Sequence, residues 1–515
     1  MMAPWNAPVF ITRVWCIFEI FTAHTTDACK VDIVMPPKEK RSLELEVIND
    51  DGGINALYKT LAKTKVENAN ASVESDRLAI LDWVESDVGC STLNHQVNDL
   101  LRQWMLAVLT ELVETRENTN DEDYADFCNQ VGVILKTNGE YGAAMKLHQT
   151  ARTICETVLG KDHKETATTY SNIGSVLFEL GDYEGALSKY EEALAIRFSA
   201  FGKNHPSVAT SYGNIGCALL GIGDYDGALS KHKECFAIQL SALGRNHPDV
   251  ADTYGSIGSV LESMGDNKGA LSKYEEALSI YLSVLGEDHP GVADIYCSIG
   301  SVLESMGDCD GAFAKHKEAL AIRLSSLGKN HPDVAETYGY IGSVLEKMGD
   351  YEGALAKHKK ALVISLSALG KNHPFVADTY LSIGSVLESM GDCDGAFAKY
   401  EKCLAIELSA LGKNHPDVAE TYRYIGSVLE KMGDYEDAMA KHKEALAIRM
   451  SALGKDHSDV AKTYNSIGVA QKKMSTPKDT ATQPNRKLRT RLGSRRRSIK
   501  AVGEGCIGNT STICT

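Results

Sequence analysis

Histidine and carboxylate return in this chain at a fixed interval of 42 residues, and that regularity limits the chemistry they can do. His163, His205, His247, His289, His331, His373, His415 and His457 keep the interval, most of them followed by proline. Two carboxylate series keep it as well: Asp252, Asp294, Glu336, Asp378 and Glu420, then Glu262, Glu304, Glu346, Glu388 and Glu430, with Ser259, Ser301, Ser343, Ser385 and Ser427 between them. A histidine that occurs once per unit has no cluster of fellow ligands, so a metal centre is not expected. No nucleophile stands in a pattern with a base, and Gly-Asp-Tyr-Glu-Gly reads as a turn rather than a phosphate cradle. Carboxylates repeated in rows make a field that draws cations. The expectation is a binding surface, not an enzyme, with no cofactor and no metal.

The elements that must carry these rows are helices. In the unit that begins at His163, Tyr170, Ile173, Gly174 and Leu177 stand on one helical face, and the run stops at Gly181, which can adopt the left-handed conformation that ends a helix. A second run follows Asp182, with Tyr183, Ala186, Leu187, Tyr190, Ala193, Leu194 and Ile196 on its face, and ends near Phe201 and Gly202. The proline of the next His-Pro opens the following first helix, where a missing N–H costs nothing. Ala186 and Ala193 leave room for close approach of two antiparallel helices, and Gly174 offers a hollow to match. The rings at Tyr190, His232, Tyr274, His316, His358, Tyr400 and His442 read as packing on the second helix, not as a proton relay. Self-similarity at such a period marks a stacked array in which each unit buries its apolar face against its neighbours.

The pattern aromatic-x2-Ile-Gly-x2-Leu, followed by Ala-x3-Tyr or Ala-x3-His, recurs at Tyr212, Ile215, Gly216 and Leu219, at Tyr254, Ile257, Gly258 and Leu261, and at Tyr422, Ile425, Gly426 and Leu429. It resembles the tetratricopeptide repeat, and the long Leu-Gly-Lys-Asn-His-Pro connector resembles that of the kinesin light chain type. The resemblance implies an all-α fold, a right-handed superhelical solenoid of antiparallel helix pairs, with eight pairs over residues 123–474 and a lone capping helix around Val460 to Lys473. It also implies that first helices line a concave groove for an extended partner peptide. The groove is then expected to present Asp252, Asp294, Glu336, Asp378 and Glu420, the serine row, and Glu262, Glu304, Glu346, Glu388 and Glu430. Tyr340, Tyr424 and Arg423 stand there as specificity groups.

The kinesin light chain resemblance implies a cargo adaptor of a microtubule motor, with kinesin heavy chain as partner and acidic, tryptophan-containing cargo. No sustained heptad pattern precedes residue 123. The expected lining is carboxylate, which points to a basic guest instead. A second reading stays open, in which the carboxylates pair with Lys273, Lys315, Lys357, Lys399 and Lys441 of the second helices or face water.

The ends follow other rules. Residues 1–115 are expected to form a small α/β fragment plus linker helices, the latter between Leu78 and Leu112. Thr12-Arg13-Val14-Trp15-Cys16-Ile17-Phe18-Glu19 resembles the Trp-Cys-x-x-Glu helix of TIR domains, with Val31 to Pro37 as a strand leaving it. That resemblance implies NAD cleavage at Glu19 as an alternative function, although the earlier strands and the nucleotide-contacting loop do not precede it. Residues 475–515 carry nine Lys or Arg against Asp479 and Glu504, a balance of +7 that leaves −22 of the chain's net −15 to the rest. An acidic body does not read nucleic acid. The tail is expected to be disordered, with Arg495-Arg496-Arg497-Ser498 a nuclear address, a kinase site or an intramolecular ligand for the acidic groove. Thirteen cysteines without a CxxC pair, Cys309 and Cys393 among them, fit a reduced thiol pool, and Val9 to Ala23 is broken by Arg13 and Glu19. A cytoplasmic protein with no membrane segment is expected.

Overall fold

Proline, histidine and glycine set the frame of the array. In the computed structural model, which describes Lys38, Arg41, Ser42 and residues 74–87, 90–116, 121–455 and 458–475, nineteen helices follow one another. Two precede the array, α1 (Glu74–Asp87) and α2 (Cys90–Arg116). Eight antiparallel pairs come next: α3 (Glu122–Thr137) with α4 (Tyr141–Val158), α5 (Lys164–Glu179) with α6 (Tyr183–Phe201), α7 (Pro206–Ile222) with α8 (Tyr225–Leu243), and α9 (Pro248–Ser263) with α10 (Asn267–Val284). The series continues as α11 (Pro290–Ser305) with α12 (Cys309–Ser326), α13 (Pro332–Lys347) with α14 (Tyr351–Leu369), α15 (Pro374–Ser389) with α16 (Cys393–Ala410), and α17 (Pro416–Met432) with α18 (Tyr435–Leu453). A single helix, α19 (Ser458–Ser475), packs on α18. There is no strand among the described residues, and none of their helices is long and apolar enough to cross a membrane. The TIR-like stretch with Glu19, the expected α/β fragment, His457 and the basic tail beyond Ser475 lie outside the described residues.

The recurrent histidines start the first helices. His373 Nδ1 accepts the Phe375 N–H at 3.1 Å and His415 Nδ1 that of Asp417 at 3.1 Å, so the ring takes the place of the usual Ser or Asp cap. Second helices start on aspartate, as where Asp182 Oδ1 accepts the Gly185 N–H at 2.9 Å. The turn just before it needs Gly181 at φ +71°, where a β-carbon would be strained. Each such cap contributes about 1 kcal/mol, and six of the eight pairs have one on both helices, α4 and α18 starting without a side-chain cap.

Close packing of the pairs corrects one detail of the sequence reading. The hollow at Gly174 is filled by the Tyr190 ring rather than faced by Ala186 or Ala193; a β-carbon there would stand 2.7 Å from the ring. Gly258 meets Tyr274 in the same way, and Gly342 meets His358. The small alanines serve the rest of the contact: Ala186 and Ala193 are fully buried, as are Ala270 and Ala277. First helices contribute Val250, Ala251, Tyr254, Ile257 and Val260 and their counterparts to a core that runs along the stack.

The array closes on itself. His373 Nε2 donates to the Thr137 carbonyl at 3.2 Å, and His415 Nε2 to that of Glu179 at 3.1 Å, each across 236 residues of chain. The Pro374 and Pro416 rings press on Gly139 and Gly181, the turns of the first two pairs. Helix α2 packs on both α3 and α14, with Arg102 donating to the Ser367 carbonyl at 3.4 Å. The beginning of the array thus seats against the first helices of its seventh and eighth pairs.

Candidate peptide-binding groove

First helices carry both carboxylate rows, and side chains of the second helices reach several of them. Asp252, Asp294 and Asp378 are exposed, and the glutamates and serines of the rows are half-buried. Helices α9, α11 and α13 share a concavity of about 630 Å³ lined by Ser259, Glu262, Asp294, Ser301, Glu336 and Tyr340, with Tyr274 and Arg323 reaching up from the second helices. Serines and carboxylates line it together with two tyrosines and one arginine.

The chain's own cations decide how much of that acidity is free. In the glutamate row, Glu304 pairs with Lys347 at 2.8 Å, Glu388 with Lys431 at 3.0 Å and Glu430 with Lys473 at 3.0 Å, each lysine coming from the next first helix. Glu346 meets Ser389 at the equivalent place, accepting its hydroxyl and that of Ser385, both at 3.0 Å. Glu262 accepts the Tyr274 hydroxyl at 3.3 Å, and burial holds its carboxyl above the usual range. Rings from the second helix support this row elsewhere too: Tyr400 donates to Glu388 at 2.9 Å, and His442 bonds Glu430 at 3.0 Å.

In the other row, Arg323 bridges two carboxylates, with Nη2 at 2.6 Å from Asp294 and Nη1 at 3.0 Å from Glu336. Its Nη1 also donates to the Asp333 carbonyl at 2.7 Å and to the Thr337 hydroxyl at 2.8 Å. Glu420 accepts from Arg423 Nε at 3.0 Å and from Arg449, and despite its burial these guanidinium groups hold its carboxyl low. Asp252 accepts only the Tyr281 hydroxyl, a neutral donor, and burial raises its carboxyl. Asp378 has no hydrogen bond or ion pair at its carboxylate among the described residues; burial, then Asp417 and Glu407, push it up to about 7. It is open to water at its tip, yet it sits near the junction where the Tyr141 turn comes down on the first helices.

The lysines that the sequence offered as partners do something else. Lys273, Lys315 and Lys441 pair three residues along their own helices with Glu276, Glu318 and Glu444. All five stand over tyrosine rings of the first helices, Lys273 at 5.2 Å from the Tyr254 centroid and Lys399 at 5.4 Å from that of Tyr380. Of the specificity groups, Arg423 lies 4.2 Å from the Tyr424 centroid and is tied to Glu420, while Tyr340 stacks on His316 at 5.2 Å and donates to Glu336 at 3.1 Å.

Reading the rows missed the position beneath them. Cys155, Arg197, Gln239, Tyr281, Arg323, Ser365, Glu407 and Arg449 are equivalent residues of successive second helices, all of them buried. Each of six touches a hydroxyl of the next first helix, as Arg197 does Ser211 at 2.8 Å and Glu407 does Thr421 at 3.0 Å. The signal was available as the one buried position whose charge changes from unit to unit. Two of the histidines on these helices, His316 and His358, have neither ring nitrogen hydrogen-bonded among the described residues, and burial holds both at about 4. Among the described residues no cluster of three or more His, Cys, Asp or Glu has the geometry of a metal site.

The crystal structure of BtubC (BKLC) from P. vanneervenii is similar over 51% of this chain and 96% of that one, at 20% identity and a TM-score of 0.37. A Podosopora anserina putative kinesin light chain with nearly identical TPR-like repeats matches 39% of this chain and 96% of its own, at 18% identity and a TM-score of 0.33. The apo form of RapI matches 55% of this chain and 97% of its own, at 16% identity and a TM-score of 0.41. No curated protein matches the chain significantly. The family model described as Tetratricopeptide repeat matches eight overlapping stretches, from 127–199 through 417–477, which together span more than half of the sequence: the chain belongs to the tetratricopeptide repeat family.

Proposed function

We propose that this array is a non-catalytic scaffold that holds an extended, cationic segment of a protein partner along its first-helix face. Tetratricopeptide arrays are generally scaffolds that bind protein or peptide partners. The observation that carries the polarity is the set of carboxylates without a cation among the described residues: there Asp252, Glu262, Glu346 and Asp378 accept neutral hydroxyls or nothing. Two of these lie on α9, and one of them, Glu262, lines the concavity shared with α11 and α13. An arginine or lysine arriving there gains an ion pair that the protein does not already make, whereas an acidic guest meets uncompensated negative charge.

Titration of two labelled peptide sets by fluorescence anisotropy tests the proposal, one rich in Lys and Arg, the other in Asp and Glu. The basic set is expected to bind, losing about tenfold in affinity as salt rises from about 50 to about 300 mM because exposed charges are screened. Binding of the acidic set, or of neither, would contradict it.

A further inference from the structure

The buried variable position reverses its charge at one unit, and its surroundings do not follow. At Arg323 the guanidinium joins Asp294 and Glu336 and bonds Thr337. The equivalent set two units further on is Glu407 with Asp378, Glu420 and Thr421. The threonine still bonds the buried side chain, but the carboxylates that pair with a guanidinium in the first set now stand near another carboxylate, close enough for Glu420 to raise Glu407 and for Glu407 to raise Asp378. Glu407 is 2% exposed. Its Oε1 accepts the Thr421 hydroxyl at 3.0 Å and the Cys403 thiol at 3.2 Å, but its Oε2 has no hydrogen-bond partner. Burial pushes Glu407 up to about 7, with Asp417 and Glu420 adding to the effect.

Uncompensated carboxylates this close are unfavourable unless something cationic or a shared proton relieves them. A glutamate is also shorter than an arginine by the terminal part of the guanidinium, so its chain does not occupy the place where Arg323 Nη2 meets Asp294. That meeting point opens outward: the Asp294 side chain is 57% exposed. Asp378, its equivalent, is exposed as well, although protein atoms crowd round its carboxylate, and it has no hydrogen bond or ion pair there among the described residues.

We infer that Asp378 and Glu407 form a socket for one guanidinium or ammonium group of the bound segment, which completes from outside the bridge that Arg323 makes from within. This rests on the basic-segment reading above and adds to it a single anchoring point. Glu420 forms the far wall but is already held by Arg423 and Arg449, so the free charge belongs to Asp378 and Glu407.

The test uses the full chain and a labelled peptide of three Gly-Ser-Arg repeats, with the same peptide carrying neutral citrulline in place of arginine. Glu407→Arg repeats the residue that the array itself places at 323 and 449, so it is expected to fold. It should weaken the arginine peptide by about 30-fold while leaving the weak citrulline binding unchanged. Glu407→Gln keeps the shape and removes the charge, and should weaken the same peptide by a smaller factor, which preserves the test should the arginine variant not fold. Equal binding of the arginine peptide to wild type and both variants would overturn the socket while leaving the basic groove intact. Failure of the wild type to prefer arginine over citrulline would overturn both.

Discussion

Two rungs of the same ladder, Arg323 with Asp294 and Glu336, and Glu407 with Asp378 and Glu420, have one backbone geometry and opposite electrostatics. The first answers both of its carboxylates from within, through Arg323 Nη1 and Nη2. The second places carboxylate against carboxylate, with burial and like charge holding both Asp378 and Glu407 at about 7. Helical stacking tolerates either because the fold is carried by small residues and rings beneath, buried in both units: Ala312 and Ala319 correspond to Ala396 and Cys403, and His316 to Tyr400. In such an array the repeated residues specify the solenoid, and the buried position that departs from the repeat sets local charge.

Removing the bridge should have the largest effect. Arg323→Met leaves Asp294, Glu336 and the Thr337 hydroxyl without their shared donor, and should lower stability by about 3 kcal/mol, read as a shift of the urea midpoint. A much smaller shift would mean that the bridge is as dispensable as an exposed ion pair.

The unbridged rung should respond to pH in the other direction. Because the folded state holds the Glu407 proton more tightly than the unfolded chain, its contribution is fully present below about 4.5 and is lost as pH rises through about 7. Glu407→Gln should therefore match wild type near pH 4 and exceed it by about 2 kcal/mol at pH 8. A wild-type profile unchanged by the substitution would contradict the assignment of a protonated, crowded carboxyl.

A third change compares the ring positions. His358 has no hydrogen bond at either nitrogen, whereas Tyr400 at the equivalent place donates to Glu388 at 2.9 Å. His358→Tyr should supply Glu346 with the same donor and add about 1 kcal/mol. It should also remove one destabilisation in acid, since burial holds the folded histidine at about 4 and the unfolded chain gains its proton first as pH falls through 6.5. Thermal melts at pH 5 and pH 7.5 would check both effects.

The smallest effect on stability is expected from Ser389→Lys, which gives Glu346 the cation that Lys431 gives Glu388. Stability should change by no more than about 0.5 kcal/mol, as for other exposed pairs. Binding of a basic peptide should weaken and its salt dependence should flatten. Unaltered binding would remove Glu346 from the groove.

The helices, their order and their stops were legible because each is marked by residues with a local reason to be there: proline at a first helical position, glycine at positive φ, aspartate and histidine as caps. The fit of Tyr190 onto Gly174 was only half legible, since the pattern shows a ring and a hollow at fixed intervals but not that the two meet. The carboxylate rows could be placed by register. Their partners could not, because Lys347 and Glu304 belong to different units and the lysine recurs only at Lys431 and Lys473, with serine at 389. The closure of His373 onto Thr137 joins residues 236 apart, and no periodicity within a unit encodes how many units complete a turn. The TIR resemblance at Glu19 and the basic tail fall outside the described residues.

The central claim is that a basic segment lies along the first-helix face and seeks the carboxylates that the chain leaves uncompensated. Zero-length carbodiimide cross-linking of a lysine-containing peptide to the full chain, mapped by mass spectrometry, reads this directly. The account predicts adducts at Asp252, Glu262, Glu346 and Asp378, with Asp294, Glu336, Glu388 and Glu420 spared by their own cations. Adducts concentrated instead on second-helix acids such as Glu191 and Glu275, or spread over both faces alike, would contradict it.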